Sequence, residues 1–106
     1  MPGVSTTQAF GINAGGQIVG RYFDTAVAHG FLYSGGSFTP IDGPGATYTQ
    51  AFGINASGQI VGTYFDATGG HGFLNSGGSF TPINVPGATY TYAYGINASG
   101  QIVGYL

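Results

Sequence analysis

A 42-residue unit runs through this chain two and a half times, and it constrains the fold more than any other feature. PGVSTTQAFGINAGGQIVGRYFDTAVAHGFLYSGGSFTPIDG (2–43) returns as PGATYTQAFGINASGQIVGTYFDATGGHGFLNSGGSFTPINV (44–85), then as the half-unit PGATYTYAYGINASGQIVGYL (86–106). A unit of this size is one supersecondary element that cannot bury an apolar face alone, so it must stack on its neighbours. The 106 residues are therefore read as a single repeat array divided at 2–43, 44–85 and 86–106. Met1-Pro2-Gly3 opens directly on a repeat boundary without a basic or apolar leader, which suggests a piece of a longer array, a trimmed chain or an incomplete reading frame.

Each unit holds four short stretches of strand character separated by Gly-rich breaks. In the first these are Gln8 to Asn13, Gln17 to Phe23, Gly30 to Ser34 and Ser37 to Ile41. Asn13-Ala14-Gly15-Gly16 and Asn55-Ala56-Ser57-Gly58 are four-residue turns, because Asn bonds nearby backbone and Gly supplies positive φ. Ser34-Gly35-Gly36-Ser37 reads as a second hairpin, its two glycines suiting a primed turn. The expected fold is all-β, built from β-propeller-like blades of four antiparallel strands, since four strands in about 42 residues match a propeller blade. Pro40 and Pro82 fall in the fourth strand, which must then be an outer edge because proline cannot donate to a ladder. Ala9 and Gly11 make the first strand slim enough for crowding near an axis. The repeated apolar positions Phe10, Ile12, Ile18, Phe31, Leu32 and Phe38, with their copies Phe52, Ile54, Ile60, Phe73, Leu74 and Phe80, are the expected packing between sheets.

Charge excludes whole classes of function. Arg21 is the only basic side chain and Asp24, Asp42 and Asp66 are the only acids, so no electrostatic footprint for nucleic acid or an anionic membrane exists. No apolar run approaches a helical membrane span. The chain has no cysteine, which removes disulfides and thiolate metal sites. Twenty-two glycines and sixteen Phe or Tyr residues describe aromatic strands broken by tight turns. With no Lys, the composition fits secreted repeats better than cytosolic enzymes.

The residues that carry chemistry are few. His29 and His71 occupy one repeat position, five residues after Asp24 and Asp66, a pairing that suggests a metal seed or, with better support, a structural histidine bonded to a neighbouring loop. Asn55-Ala56-Ser57 and Asn97-Ala98-Ser99 satisfy the N-glycosylation sequon on turns expected to be accessible, whereas Asn13-Ala14-Gly15 does not. Tyr33, Tyr48, Tyr90 and Tyr92 suggest a carbohydrate-stacking surface, although tyrosine is also a good strand residue. The Gly-rich segments lack the helix and the Lys of a phosphate loop. Because the histidines are symmetry equivalents rather than members of one unique constellation, no catalytic residue is assigned.

QAFGIN, GQIVG, Tyr-Phe-Asp, His-Gly-Phe-Leu and Gly-Gly-Ser-Phe-Thr-Pro-Ile recur in fixed order and at one period. Together they resemble the HAF repeats of bacterial extracellular proteins, named for a His-Ala-Phe triplet that stands here as His29-Gly30-Phe31 and His71-Gly72-Phe73. The resemblance covers nearly the whole chain and implies an extracellular, propeller-like repeat, with no family catalytic residues to carry over. The expected function is a non-enzymatic binding or display scaffold, lectin-like if it takes carbohydrate, and without a cofactor. The alternative is a self-assembling unit forming homo-oligomeric rings or filaments, completed by copies of itself or by the remainder of a longer propeller. Two and a half units cannot close a ring of four to eight blades, and the strand over Gln101 to Leu106 lacks the Lys or Pro that protects natural edges.

Overall fold

The computed structural model describes residues 6–24, 27–88 and 90–105. The opening Met1-Pro2-Gly3 and the terminal Leu106 of the last expected strand lie outside the described residues. The described chain is all-β, with no helix. The first unit supplies β1 (Thr6–Ile12), β2 (Ile18–Phe23), β3 (Ala28–Ser34) and β4 (Ser37–Ile41). The second supplies β5 (Tyr48–Ile54), β6 (Ile60–Asp66), β7 (Gly69–Ser76) and β8 (Ser79–Ile83), and the half-unit supplies β9 (Tyr92–Ile96) and β10 (Ile102–Tyr105). Each unit is an antiparallel meander in which every strand pairs with the next. Between units the pairing is parallel and minimal, through Ala28 and Tyr48 at one junction and Gly70 and Tyr90 at the other. That makes the larger sheet mixed, a feature absent from the sequence reading.

The turns follow from their residues. Asn13 closes the first hairpin by accepting from Gly16 N at 3.1 Å through its carbonyl and from Gln17 N at 3.0 Å through its side chain. Gly35 and Gly36 have φ of +58° and +84°, the two positive values that a type I′ turn demands. β4 and β8 each pair on one side only, as their prolines require.

The first strand of each unit carries a bulge. Register slips between Ala9 and Gly11, again between Ala51 and Gly53, and at the same place opposite Val103 and Gly104. The extra residue is Phe10, Phe52 or Tyr94, and the bend it imposes presses the strand onto its partner. A Cβ on Gly20, Gly62 or Gly104 would lie 1.9, 1.9 or 1.7 Å from the carbonyl oxygen of Gln8, Gln50 or Tyr92. The last glycine of each GQIVG is therefore fixed by the bulge.

The core lies between units rather than inside one. Val19 and Ile41 of the first unit, with Leu32 half-buried beside them, cover Ala51, Ile54, Ile60, Tyr64 and Phe73 of the second. This overturns part of the expected core. Phe31, Phe73, Ile54 and Ile60 are buried as expected, whereas Phe10 is 42% and Ile12 66% exposed, because no unit among the described residues covers their face. Ile18, Leu32, Phe38, Phe52, Leu74 and Phe80 are half-buried. The deepest positions include residues outside the expected set, among them Val19, Val61 and Ala51, all 0% exposed. Small side chains win there because the units approach closely: a Cβ on Gly11 would lie 2.8 Å from Phe52 O, and one on Gly53 3.0 Å from Tyr94 O. The expected crowding of the first strand is thus present, as contact between consecutive first strands.

Candidate functional site

Three arrangements recur with the repeat. The first is an asparagine ladder along the unit junctions. Asn13 Nδ2 donates to Gln17 Oε1 at 2.8 Å and to Asn55 O at 3.0 Å, and Asn55 Nδ2 repeats the pattern with Gln59 Oε1 at 2.7 Å and Asn97 O at 3.0 Å. Asn55 Oδ1 also accepts from Ser57 N and Gln59 N. The side chain expected to be an accessible sequon is thus buried and committed at both ends. Asn97 keeps the local bonds to Ser99 N, Gln101 N and Gln101 Oε1 and stays exposed. Of the two sequons, only the second presents its asparagine.

The second arrangement brackets each histidine. His29 Nδ1 lies 2.6 Å from Asp42 Oδ1 and its Nε2 2.7 Å from Asp24 Oδ2. Ionised carboxylates only accept, so both ring nitrogens must carry protons to satisfy this geometry. Partial burial works against the charged ring, but the bonds to Asp42 and Asp24 and their charges outweigh it and raise the pKa above its usual 6.5. His71 is bracketed by Asn84 Oδ1 at 2.6 Å and Asp66 Oδ1 at 2.9 Å, with Thr68 Oγ1 also at 2.9 Å from Nε2. Its pKa is raised by the bond to Asn84 above all, against some burial and with help from Asp66. The hydroxyl and backbone N–H of Thr68, and then His71, hold the Asp66 carboxyl down to about 2. Tyr22 and Tyr64 pack against the two imidazoles, with ring centroids 4.9 and 5.0 Å away. Each bracket ties the β2–β3 or β6–β7 turn to the segment that leaves the fourth strand. Asp24 and Asp66 were legible as partners, whereas Asp42 and Asn84, thirteen residues after each histidine, were not. Among the described residues no group of three or more His, Cys, Asp or Glu is placed to hold a metal ion.

The third arrangement is an aromatic row that crosses the units. Phe23, Tyr48, Phe65 and Tyr92 follow one another edge to face at 6.2, 5.8 and 5.9 Å. Tyr48, Gln50, Phe65 and Tyr92 line an open groove there. Of the four tyrosines singled out in the sequence, Tyr48 and Tyr92 share this groove. Tyr90 packs beside Tyr92 at 5.3 Å, and Tyr33 lies elsewhere, against Phe38 at 4.7 Å. Arg21 is committed nearby: its Nε donates to Gln8 Oε1 at 2.5 Å, another nitrogen donates to the Tyr48 hydroxyl, and the guanidinium sits 5.1 Å from the Phe23 ring centroid. The sole basic side chain is therefore part of the aromatic row.

Compared with family models, curated proteins and solved structures, the chain matches none.

Proposed function

We propose that this chain is a non-enzymatic, extracellular repeat scaffold whose units are propeller-like blades for binding or display. The observation that carries the reading is the junction itself: consecutive first strands touch, and the Asn13–Asn55–Asn97 ladder advances by one unit per rung. Crowded first strands and proline-bearing fourth strands that pair on one side only support a reading as blades around an axis. The flat extents of 40 × 35 × 20 Å agree with a sector of such a disc. The extracellular placement rests on the resemblance to HAF repeats and on the charge-poor composition. The histidines, each bracketed by side-chain oxygens, support a scaffold rather than a catalyst.

Carbohydrate is the ligand class that suits the groove of Tyr48, Gln50, Phe65 and Tyr92, which sets aromatic rings beside an amide. A glycan array followed by titration calorimetry on wild type and Tyr48→Ala tests it. Binding lost on substitution supports the lectin-like form, and an array without signal leaves display as the role. A crystal structure in which units are related by translation, with no rotation about an axis beside β1, β5 and β9, would refute the propeller reading.

The alternative of a self-assembling unit is favoured by a separate observation, the exposure of Phe10, Ile12 and Val103 at positions where a neighbouring unit would pack. Absolute mass by sedimentation across a wide concentration range tests that alternative, and a constant monomer mass would dismiss it.

A further inference from the structure

The internal junctions show what covers each face of a unit. On one side a unit presents Ala51, Ile54 and Ile60, and these are covered by the Val19 side of the unit before it. Ala93 repeats the contact at the next junction, where a Cβ on Gly72 would stand 3.5 Å from Ala93 Cβ. The corresponding residues of the first unit, Ala9 and Ile12, are exposed, Ile12 at 66% against 9% for the identical Ile54. At the other end Val103 is 69% exposed, whereas its equivalents Val19 and Val61 are both 0%. A Cβ on Gly95 would meet only Val103, while one on Gly53 would meet the next unit's backbone. One end of the chain therefore carries the socket of the internal junction, and the other carries the knob.

Resting on the self-assembly reading above, we propose that the face around Ala9, Ile12 and Ile18 docks a second copy of this chain, which seats Val103 and Gly95 there in the register of the internal junctions. Continuity with those junctions selects the occupant, because among the described residues the surface that covers the equivalent face is the one that Val103 repeats. The same register brings Tyr94 of one copy beside Phe10 of the other, extending the row in which Phe10, Phe52 and Tyr94 stand 5.2 and 4.7 Å apart. It also aims Asn97 Nδ2, which spends one hydrogen on Gln101 Oε1 at 2.8 Å, at the carbonyl of Asn13 in the other copy. Asn55 O already accepts two such donors, Gly58 N and Asn13 Nδ2, both at 3.0 Å. None of these contact residues is charged, so nothing repels the second copy. The contact is heterologous and propagates into rings or open filaments.

The test uses the full chain with two substitutions at exposed positions, Ala9→Asp in the socket and Val103→Asp in the knob. Wild type is expected to associate, and each variant to remain at the 10.7 kDa monomer mass with an unchanged circular dichroism spectrum. An equimolar mixture has one intact socket and one intact knob, so it should give a species of twice that mass and nothing larger. The forbidden junction would oppose two aspartates, which prevents growth. Ile12→Asp is the second socket variant should Ala9→Asp alter the spectrum, and it keeps two aspartates opposed at the forbidden junction. Wild-type association that survives both single substitutions would overturn this docking while leaving self-assembly in place. Folded variants whose mixture stays monomeric would also overturn it, and a monomeric wild type would overturn both readings.

Discussion

Replacing the ladder asparagines one at a time separates the energy of a turn from that of a unit junction. Asn13, Asn55 and Asn97 occupy one repeat position and make the same kind of local bonds, closing the turn through Oδ1 and reaching a glutamine Oε1 through Nδ2. Only Asn13 and Asn55 add a rung to the next unit, both at 3.0 Å. A typical intramolecular hydrogen bond contributes about 0.5–1.5 kcal/mol net, and more is lost when a buried partner is left unsatisfied. Here the orphaned acceptors keep a second donor, Gly58 N on Asn55 O and Gly100 N on Asn97 O, so the ordinary range applies to the rung. Asn97→Ala, exposed and local, should then cost about 1–2 kcal/mol, and Asn55→Ala roughly 1 kcal/mol more, with Asn13→Ala close to it. The assay is urea unfolding in the Val103→Asp background at low micromolar protein, so that assembly does not add to the measured stability. Equal losses at Asn55 and Asn97 would refute the reasoning, since they would place all of the asparagine's contribution in the turn.

Three further outcomes follow from the burial pattern and the brackets. Phe73→Ala should cost about 3–5 kcal/mol in denaturant unfolding, because the ring is 0% exposed. Phe52→Ala should cost on the order of 1–2 kcal/mol, as its ring is half-buried and held mainly by Phe10 and Tyr94; equal costs would show that the faces are wrongly assigned. Thr63 Oγ1 is a buried hydroxyl without a hydrogen-bond partner among the described residues, in a residue 1% exposed, so Thr63→Val should raise stability by about 1 kcal/mol, and a loss of stability would argue for a bound water. The histidine pKa values are raised in the fold, so their contribution is fully present below the unfolded value of about 6.5 and fades as pH rises through the higher folded value. Asp66 runs the other way, contributing above about 4 and losing that contribution as pH falls toward 2. The thermal midpoint should therefore peak between about pH 4 and 6.5 and decline toward pH 9, and the decline should vanish in a His29→Gln/His71→Gln variant; a midpoint that climbs from pH 6 to 9 would contradict the bracket geometry.

Strand placement was legible because turn chemistry is local. Asn13 with Gly16, and Gly35 with Gly36, bound the strands to within a residue or two of where the ladders place them. The core was less legible, for a reason that QAFGIN makes plain. That segment is identical in the first two units, yet Ile12 is 66% exposed and Ile54 9%. What differs is the presence of a covering unit, which no property of the residue records. Strand alternation failed to help for a related reason: in IVGRYF, Val19 is buried toward the second unit while Tyr22, on the opposite face, is buried beside His29 and Phe31. A unit meant to have neighbours on both sides has no solvent face for period two to mark. The buried Ala51, Thr49 and Thr63 were missed because apolar size was the criterion, whereas close approach of the units selects for small side chains.

The histidine brackets mark the other limit of the sequence and argue for their own role. Asp24 follows β2 and Asp66 ends β6, each five residues before its histidine, so spacing found them, but the Nδ1 partner arrives from beyond the fourth strand. At that position the first unit has Asp42 and the second has Asn84, each placing Oδ1 at 2.6 Å from Nδ1. The two side chains are nearly isosteric and differ by a full charge. A proton shuttle, or a role that needs the negative charge, would distinguish them sharply, since an amide is neutral and does not titrate near neutrality. Tethering a connecting segment to the strand pair needs only an acceptor oxygen in the right place, and both residues supply one. The tolerance of Asn for Asp within a single chain therefore identifies what the position must provide, an oxygen held at hydrogen-bond distance where the chain leaves one unit for the next.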